Sequence, residues 1–118
     1  MIRARRVYAE PAPDDGYRVL VDRLWPRGLS KDRAHVDLWL KDVGPSDDLR
    51  RAFHGGAIDF AAFRDRYNTE LDANPALDRL REVVDGHDVV TLLFGARDEE
   101  QNQAVLLRDR LEQPAGDR

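Results

Sequence analysis

Val89-Val90-Thr91-Leu92-Leu93-Phe94 is a near-continuous apolar run, bounded by Gly86-His87-Asp88 before it and Gly95 after it. A strand with one wet face alternates apolar and polar side chains. A run without alternation fits a strand covered on both faces, which is the habit of parallel sheets in α/β proteins. This segment therefore demands layers above and below it, and the rest of the chain must supply them.

The flanking sequence offers suitable pieces. Ile2 to Tyr8 and Tyr17 to Val21 are rich in β-branched and aromatic residues and read as strands, joined by the turn-forming segment Glu10-Pro11-Ala12-Pro13-Asp14-Asp15-Gly16. Asp37 to Lys41 alternates polar and apolar residues and is either a short edge strand or a single helical turn, stopped by Gly44-Pro45. Ser46 is an N-cap for a helix running to about His54, with Asp47 and Asp48 in its electropositive first turn and Gly55-Gly56 ending it. Asp59 caps a second helix on which Phe60, Phe63, Tyr67 and Leu71 form one apolar stripe. Asn74-Pro75 opens a third, with Leu77, Leu80 and Val84 on one side, ending near Asp85-Gly86. A last helix is expected from about Asp98 to Glu112, with a frayed tail over 113–118. Strands separated by helices predict one compact α/β domain over 1–118, with a small, mostly parallel sheet and helices on both faces.

Composition removes several classes of chemistry. The chain has no cysteine, which rules out disulfides, a thiolate nucleophile and cysteine-ligated metal centres. No apolar stretch reaches the roughly 18 residues that a membrane-spanning helix needs, and the basic start Met1 to Arg6 is not followed by the apolar run of a signal peptide, so a cytoplasmic protein without membrane partners is expected. A net charge of −4 argues against a surface that attracts nucleic acid as a whole. No nucleophile elbow, phosphate loop, dinucleotide fingerprint or metal-spaced cluster is present, so neither a metal nor a cofactor is expected.

The chemistry that remains centres on Leu20 to Ser30, where Asp22, Arg23, Trp25 and Arg27 surround Pro26 and Gly28 directly after an apolar run. In open parallel sheets, ligands bind beyond the carboxyl ends of the strands. Here those ends open at Asp22-Arg23 and at Gly95-Ala96-Arg97. Arg23, Arg27 and Arg97 can clamp a phosphate or carboxylate bidentately, and Gly95 lets such a group approach the backbone. A structural reading stands beside this one, in which Asp22 and Asp98 neutralise the arginines. His54 can move a proton with Asp22 as partner, or can simply complement a helix C-terminus. Trp25 either lines a pocket or packs in the core.

The run Asp15 to Gly28, followed by Trp39-Leu40-Lys41, Pro45-Ser46, Phe53-His54, Phe63 to Leu71 and Leu92 to Asn102, resembles the YeaO-like branch of domain-of-unknown-function family 488. Its Asp-Arg-Leu-Trp-Pro-Arg-Gly stretch carries most of the likeness, which spans nearly the whole chain. The resemblance implies a compact α/β bacterial protein and adds Lys41 and Tyr67 as pocket residues, without naming a reaction. Where relatives carry His-Asn-His, this chain has Gln101-Asn102-Gln103, and neutral amides neither titrate near pH 7 nor bind transition metals well. With Asp98 as N-cap, Gln101 is placed to reach back to its N–H.

The expected function is thus the binding of a small phosphate- or carboxylate-bearing molecule, with or without turnover, by a monomer or homodimer. The alternative is a nucleic-acid or protein interaction module that uses Arg3, Arg5, Arg6 and Arg18 as a basic face on the first two strands.

Overall fold

In a computed structural model of the chain, described over residues 1–113, the apolar run becomes β4 (Val90–Phe94), with all five residues buried. Its neighbours are β1 (Ile2–Arg6) and β2 (Tyr17–Leu20), and β3 (Leu38–Trp39) closes one edge. The order is β1-β4-β2-β3 and every pairing is parallel. Being central, β4 has strands on both edges and layers on both faces, which is the environment its missing alternation calls for.

Because successive side chains point to opposite faces, the register sorts the strands into two halves. Val90, Leu92 and Phe94 share one face with Val19, and the partly buried Ile2 and Ala4 of β1 pack there too. This face meets four helices: α2 (Asp47–His54), α3 (Phe60–Asp72), α4 (Pro75–Asp85) and α5 (Gln103–Glu112). Their contributions include Leu49, Phe63, Tyr67, Leu71, Leu77, Leu80 and Leu107. Trimming any of these large side chains to alanine is expected to cost about 2–5 kcal/mol.

The second face is covered more thinly. Leu20, Leu93 and Val7 pack under Ala34 of the four-residue helix α1 (Lys31–Ala34) and under Trp25, Leu29 and Val36. Further toward the strand beginnings the same face turns ionic. Arg18, opposite Thr91 in register, is buried and donates to the Asp15 carboxylate and to the carbonyls of Ala34 and His35, the last two at 2.9 Å. Arg5 donates to both Asp15 oxygens at 2.8 and 2.9 Å, and Thr91 Oγ1 donates to the Asp15 carbonyl at 2.7 Å.

Boundaries differ from the sequence expectation in a few places. The open choice over Asp37 to Lys41 resolves into the two-residue edge strand β3, followed by a 3₁₀ turn over Lys41–Val43. The short α1 carries no apolar stripe to announce it; Ser30 caps it by accepting from Arg33 N–H, and His35 leaves it in the left-handed region at φ 50°. The last helix begins at Gln103, not Asp98. Two capping side chains compete there. Asp98 Oδ1 accepts from the N–H groups of Glu100 and Gln101 in a turn, at 2.9 and 3.0 Å, while Asn102 Oδ1 accepts from Val105 N–H and starts the helix. Gln101 thus meets Asp98 through its backbone N–H, and the reciprocal cap expected of its side chain is replaced by this turn. The tail expectation, beyond Gln113, lies outside the described residues.

Candidate functional site

A cleft of about 200 Å³ opens at the carboxyl ends of β2 and β4. The ladder between these strands extends one step past β2, with Val21 N–H donating to the Leu93 carbonyl at 3.1 Å, and Asp22 follows at the floor of the cleft. Its carboxylate is held from two sides. Gly95 N–H donates to Oδ2 at 2.8 Å, and the Gln103 side-chain amide, from the first turn of α5, donates to Oδ1. Burial raises the Asp22 pKa from the usual 3.8 to about 6, against the opposing pull of the Gly95 N–H, the Gln103 amide and the Arg50 charge.

The loop after Asp22 supplies two of the predicted cations. Arg23 donates Nε to the Pro45 carbonyl at 2.7 Å, which fixes its stem along the cleft wall. Arg27 is exposed on the rim; its carbonyl accepts from Tyr8 Oη at 2.8 Å, and Gly28 turns the chain at φ 77°. Trp25 donates Nε1 to the Leu29 carbonyl and meets Trp39 edge to face at 5.4 Å, so it both lines the cleft and packs against the second sheet face. Helix α2 adds Arg50 and His54, four residues apart and hence on one side of the helix. Burial lowers the His54 pKa from 6.5, and the Arg50 charge lowers it further, which favours the neutral ring.

The cleft is thus strongly biased in charge. Arg23, Arg27 and Arg50 line it against one carboxylate, Asp22. Among the described residues neither Arg23 nor Arg27 has an ion pair, and Arg50 reaches only the exposed Asp47 at 3.4 Å while its Nε has no partner. Asp98 does not line the cleft, and among the described residues it forms no ion pair with these arginines.

Other predicted residues fall elsewhere. Arg97 lines an adjoining hollow, together with Phe53, Asp98 and Gln101, that shares His54, Gly95 and Ala96 with the cleft. Lys41 lies over the Trp39 ring at 5.7 Å and does not line the cleft. Tyr67 is corrected to a core residue: it is 1% exposed, stacks with Phe63, and donates its hydroxyl to the Val43 carbonyl at 2.5 Å. On the proposed basic face three of the four arginines meet two carboxylates, and Arg18 is buried. Arg3 pairs with Asp14 at 3.0 Å, Arg5 and Arg18 share Asp15, and Arg6 donates to the Ala96 carbonyl at 2.9 Å.

Of the cleft residues that sequence reasoning missed, Arg50 and Gln103 act on the Asp22 carboxylate. Arg50 was recoverable, because it precedes His54 by one helical turn. Gln103 was not, since its place depends on which residue starts α5.

The family model described as the inactive DUF488-N3 subclade matches residues 1–118. The chain belongs to this family. It is 42% identical over 110 residues to the uncharacterized protein YeaO of Escherichia coli strain K12, covering 93% of this chain and 96% of that one. It is 43% identical over 110 residues to the uncharacterized protein Rv3073c of Mycobacterium tuberculosis strain H37Rv, covering 93% and 92%. No solved structure matches the chain significantly. Among the described residues, no helix of this DUF488-N3 member is long and apolar enough to cross a membrane.

Proposed function

We propose that the cleft binds a small anionic molecule bearing a phosphate or carboxylate group, and that it recognises this molecule without turning it over. The observation that carries the reading is the convergence of Arg23, Arg27 and Arg50 on one concave site whose only carboxylate is Asp22. Guanidinium groups are permanently charged and present paired donors that match phosphate and carboxylate oxygens. In a partly desolvated cleft their attraction for an anion is stronger than on an open surface.

Recognition without chemistry is supported from two sides. The family carries the description of an inactive subclade. The side chain hydrogen-bonded to Asp22 is the neutral Gln103 amide, which donates a hydrogen bond but exchanges no proton near pH 7. Asp22 then serves as a charge gate: an anion bound beside it favours its protonated form, and the carboxyl in turn can donate to the guest. The reading includes a cytoplasmic protein that meets phosphorylated and carboxylated metabolites, and it assigns no role to nucleic acid.

A thermal-shift screen over inorganic phosphate, nucleotides and small carboxylates tests the reading, run in parallel on Arg27→Gln. Arg27 is exposed, so this variant is expected to fold normally. A ligand present at 100 times its Kd stabilises the fold by about 2.7 kcal/mol. The expected result is stabilisation of the native chain by at least one class of anion and its loss in the variant. Equal stabilisation of both proteins, or of neither, contradicts the proposal.

A further inference from the structure

The hollow next to the cleft has a cation of its own. Arg97 lines it, is exposed, and has no ion pair among the described residues. Its sequence neighbour Asp98 also lines the hollow, but its carboxylate accepts from the N–H groups of Glu100 and Gln101 and forms no ion pair with Arg97 among the described residues. With a volume of about 410 Å³, the hollow adds an apolar wall from Phe53 and an amide from Gln101.

The segment between the two concavities suits the passage of a ligand. Both are lined by His54, Gly95 and Ala96. A Cβ at Gly95 would stand 3.0 Å from Asp22 Oδ2 and 3.9 Å from the Tyr8 ring, so any other residue would put a side chain where the two spaces join. The carbonyls that would repel an anion here are engaged from the other side. Arg6 donates Nε to the Ala96 carbonyl at 2.9 Å and approaches the Gly95 carbonyl at 3.5 Å.

We infer that the ligand carries two anionic groups, one held by Arg23, Arg27 and Arg50 and the other by Arg97, joined by a short linker crossing Gly95. The inference rests on the anion reading of the cleft and narrows it to a class: dicarboxylates, or carboxylates that also bear a phosphate. A monoanion occupies only one of the two hollows. A dianion of the right length fills both, and its second contact forms at high effective concentration once the first is made.

The test is calorimetric titration, at fixed ionic strength, with straight-chain α,ω-dicarboxylates of increasing length and with the monomethyl ester of each. One length is expected to bind about tenfold or more tightly than its monoester. Arg97→Gln should erase that preference while leaving monoester affinity unchanged, whereas Arg27→Gln should weaken both. Monoester binding that depends on Arg27, with no diacid preference at any length, overturns the two-anchor inference alone. A diacid preference that survives Arg97→Gln overturns it equally. No binding by any of these probes removes the anion reading along with it.

Discussion

Gly95 donates its backbone N–H to Asp22 Oδ2 at 2.8 Å, a bond that joins the end of β4 to the second residue after β2 across 73 positions of sequence. It holds a carboxylate at the floor of a cleft where burial alone would expel its charge. The neighbouring guanidiniums and the raised pKa of Asp22 both follow from this placement, and they yield measurable consequences.

Asp22 destabilises the fold at neutral pH. Its carboxyl titrates near 6 in the folded chain against 3.8 for an ordinary aspartate, so folding favours the proton. Stability that is fully present below pH 3.8 is lost as pH rises through 6. Asp22→Asn keeps an acceptor for Gly95 N–H, and a rotated Gln103 amide can accept from the new side chain. The variant should be more stable than the native chain by about 3 kcal/mol at pH 7.5, with the gap closing near pH 4. Urea unfolding at the two pH values measures this, and a variant no more stable than the native chain at the higher pH would show that the carboxylate is not desolvated. A residue that costs stability yet lines a cleft fits a binding role.

Arg50 depresses two pKa values at once, because its charge favours the ionised form of Asp22 and disfavours that of His54. Replacing it by glutamine should therefore move both upward, Asp22 further above 6 and His54 back toward 6.5. Carboxyl and imidazole NMR titrations of Arg50→Gln report each group separately. Shifts in opposite directions would mean that Arg50 does not face both.

Far from the cleft, Asp15 is the shared counter-ion of Arg5 and Arg18 beneath the sheet. Arg18 is 5% exposed, and removing its partner leaves a buried cation uncompensated. Asp15→Ala should cost about 3–5 kcal/mol in denaturant unfolding, the usual penalty for breaking such a pair from one side. A loss below about 1 kcal/mol would mean that water replaces the carboxylate easily.

Gly95→Ala separates cleft geometry from stability. The added methyl contacts Asp22 Oδ2 at 3.0 Å and Gly95 is not in the left-handed region, so the fold should lose only about 1 kcal/mol. Binding of a two-anchor ligand should fall about tenfold or more in a calorimetric titration, since the methyl stands between its two sites. Undiminished diacid binding would show that the linker takes another path.

Much of this architecture is legible in the sequence because it rests on local signals. The apolar run of β4, the caps Ser46, Asp59 and Asn74, and the stripe Phe60, Phe63, Tyr67 and Leu71 each point to one element and one face. Signals that compete locally were harder to resolve. Asp98 and Asn102 are both capping residues four apart, and only packing decides that the second begins α5. The site was legible where strand ends dictate it, at Asp22, Arg23 and Gly95. It was not legible where a side chain's environment depends on distant chain: Tyr67 looks amphipathic in isolation but spends its hydroxyl on the Val43 carbonyl, and the arginines of β1 and β2 look like a free basic face until Asp14 and Asp15 fold onto them.

The central claim is that guanidiniums from two separate segments converge with charge left for a guest. Arginine Nε–Hε resonances followed by NMR during titration with pyrophosphate test it most directly. Saturable shifts at Arg23, Arg27 and Arg50, with Arg3, Arg5 and Arg18 unmoved, are the predicted result. Uniform small shifts across all arginines, or none at the cleft three, would contradict it.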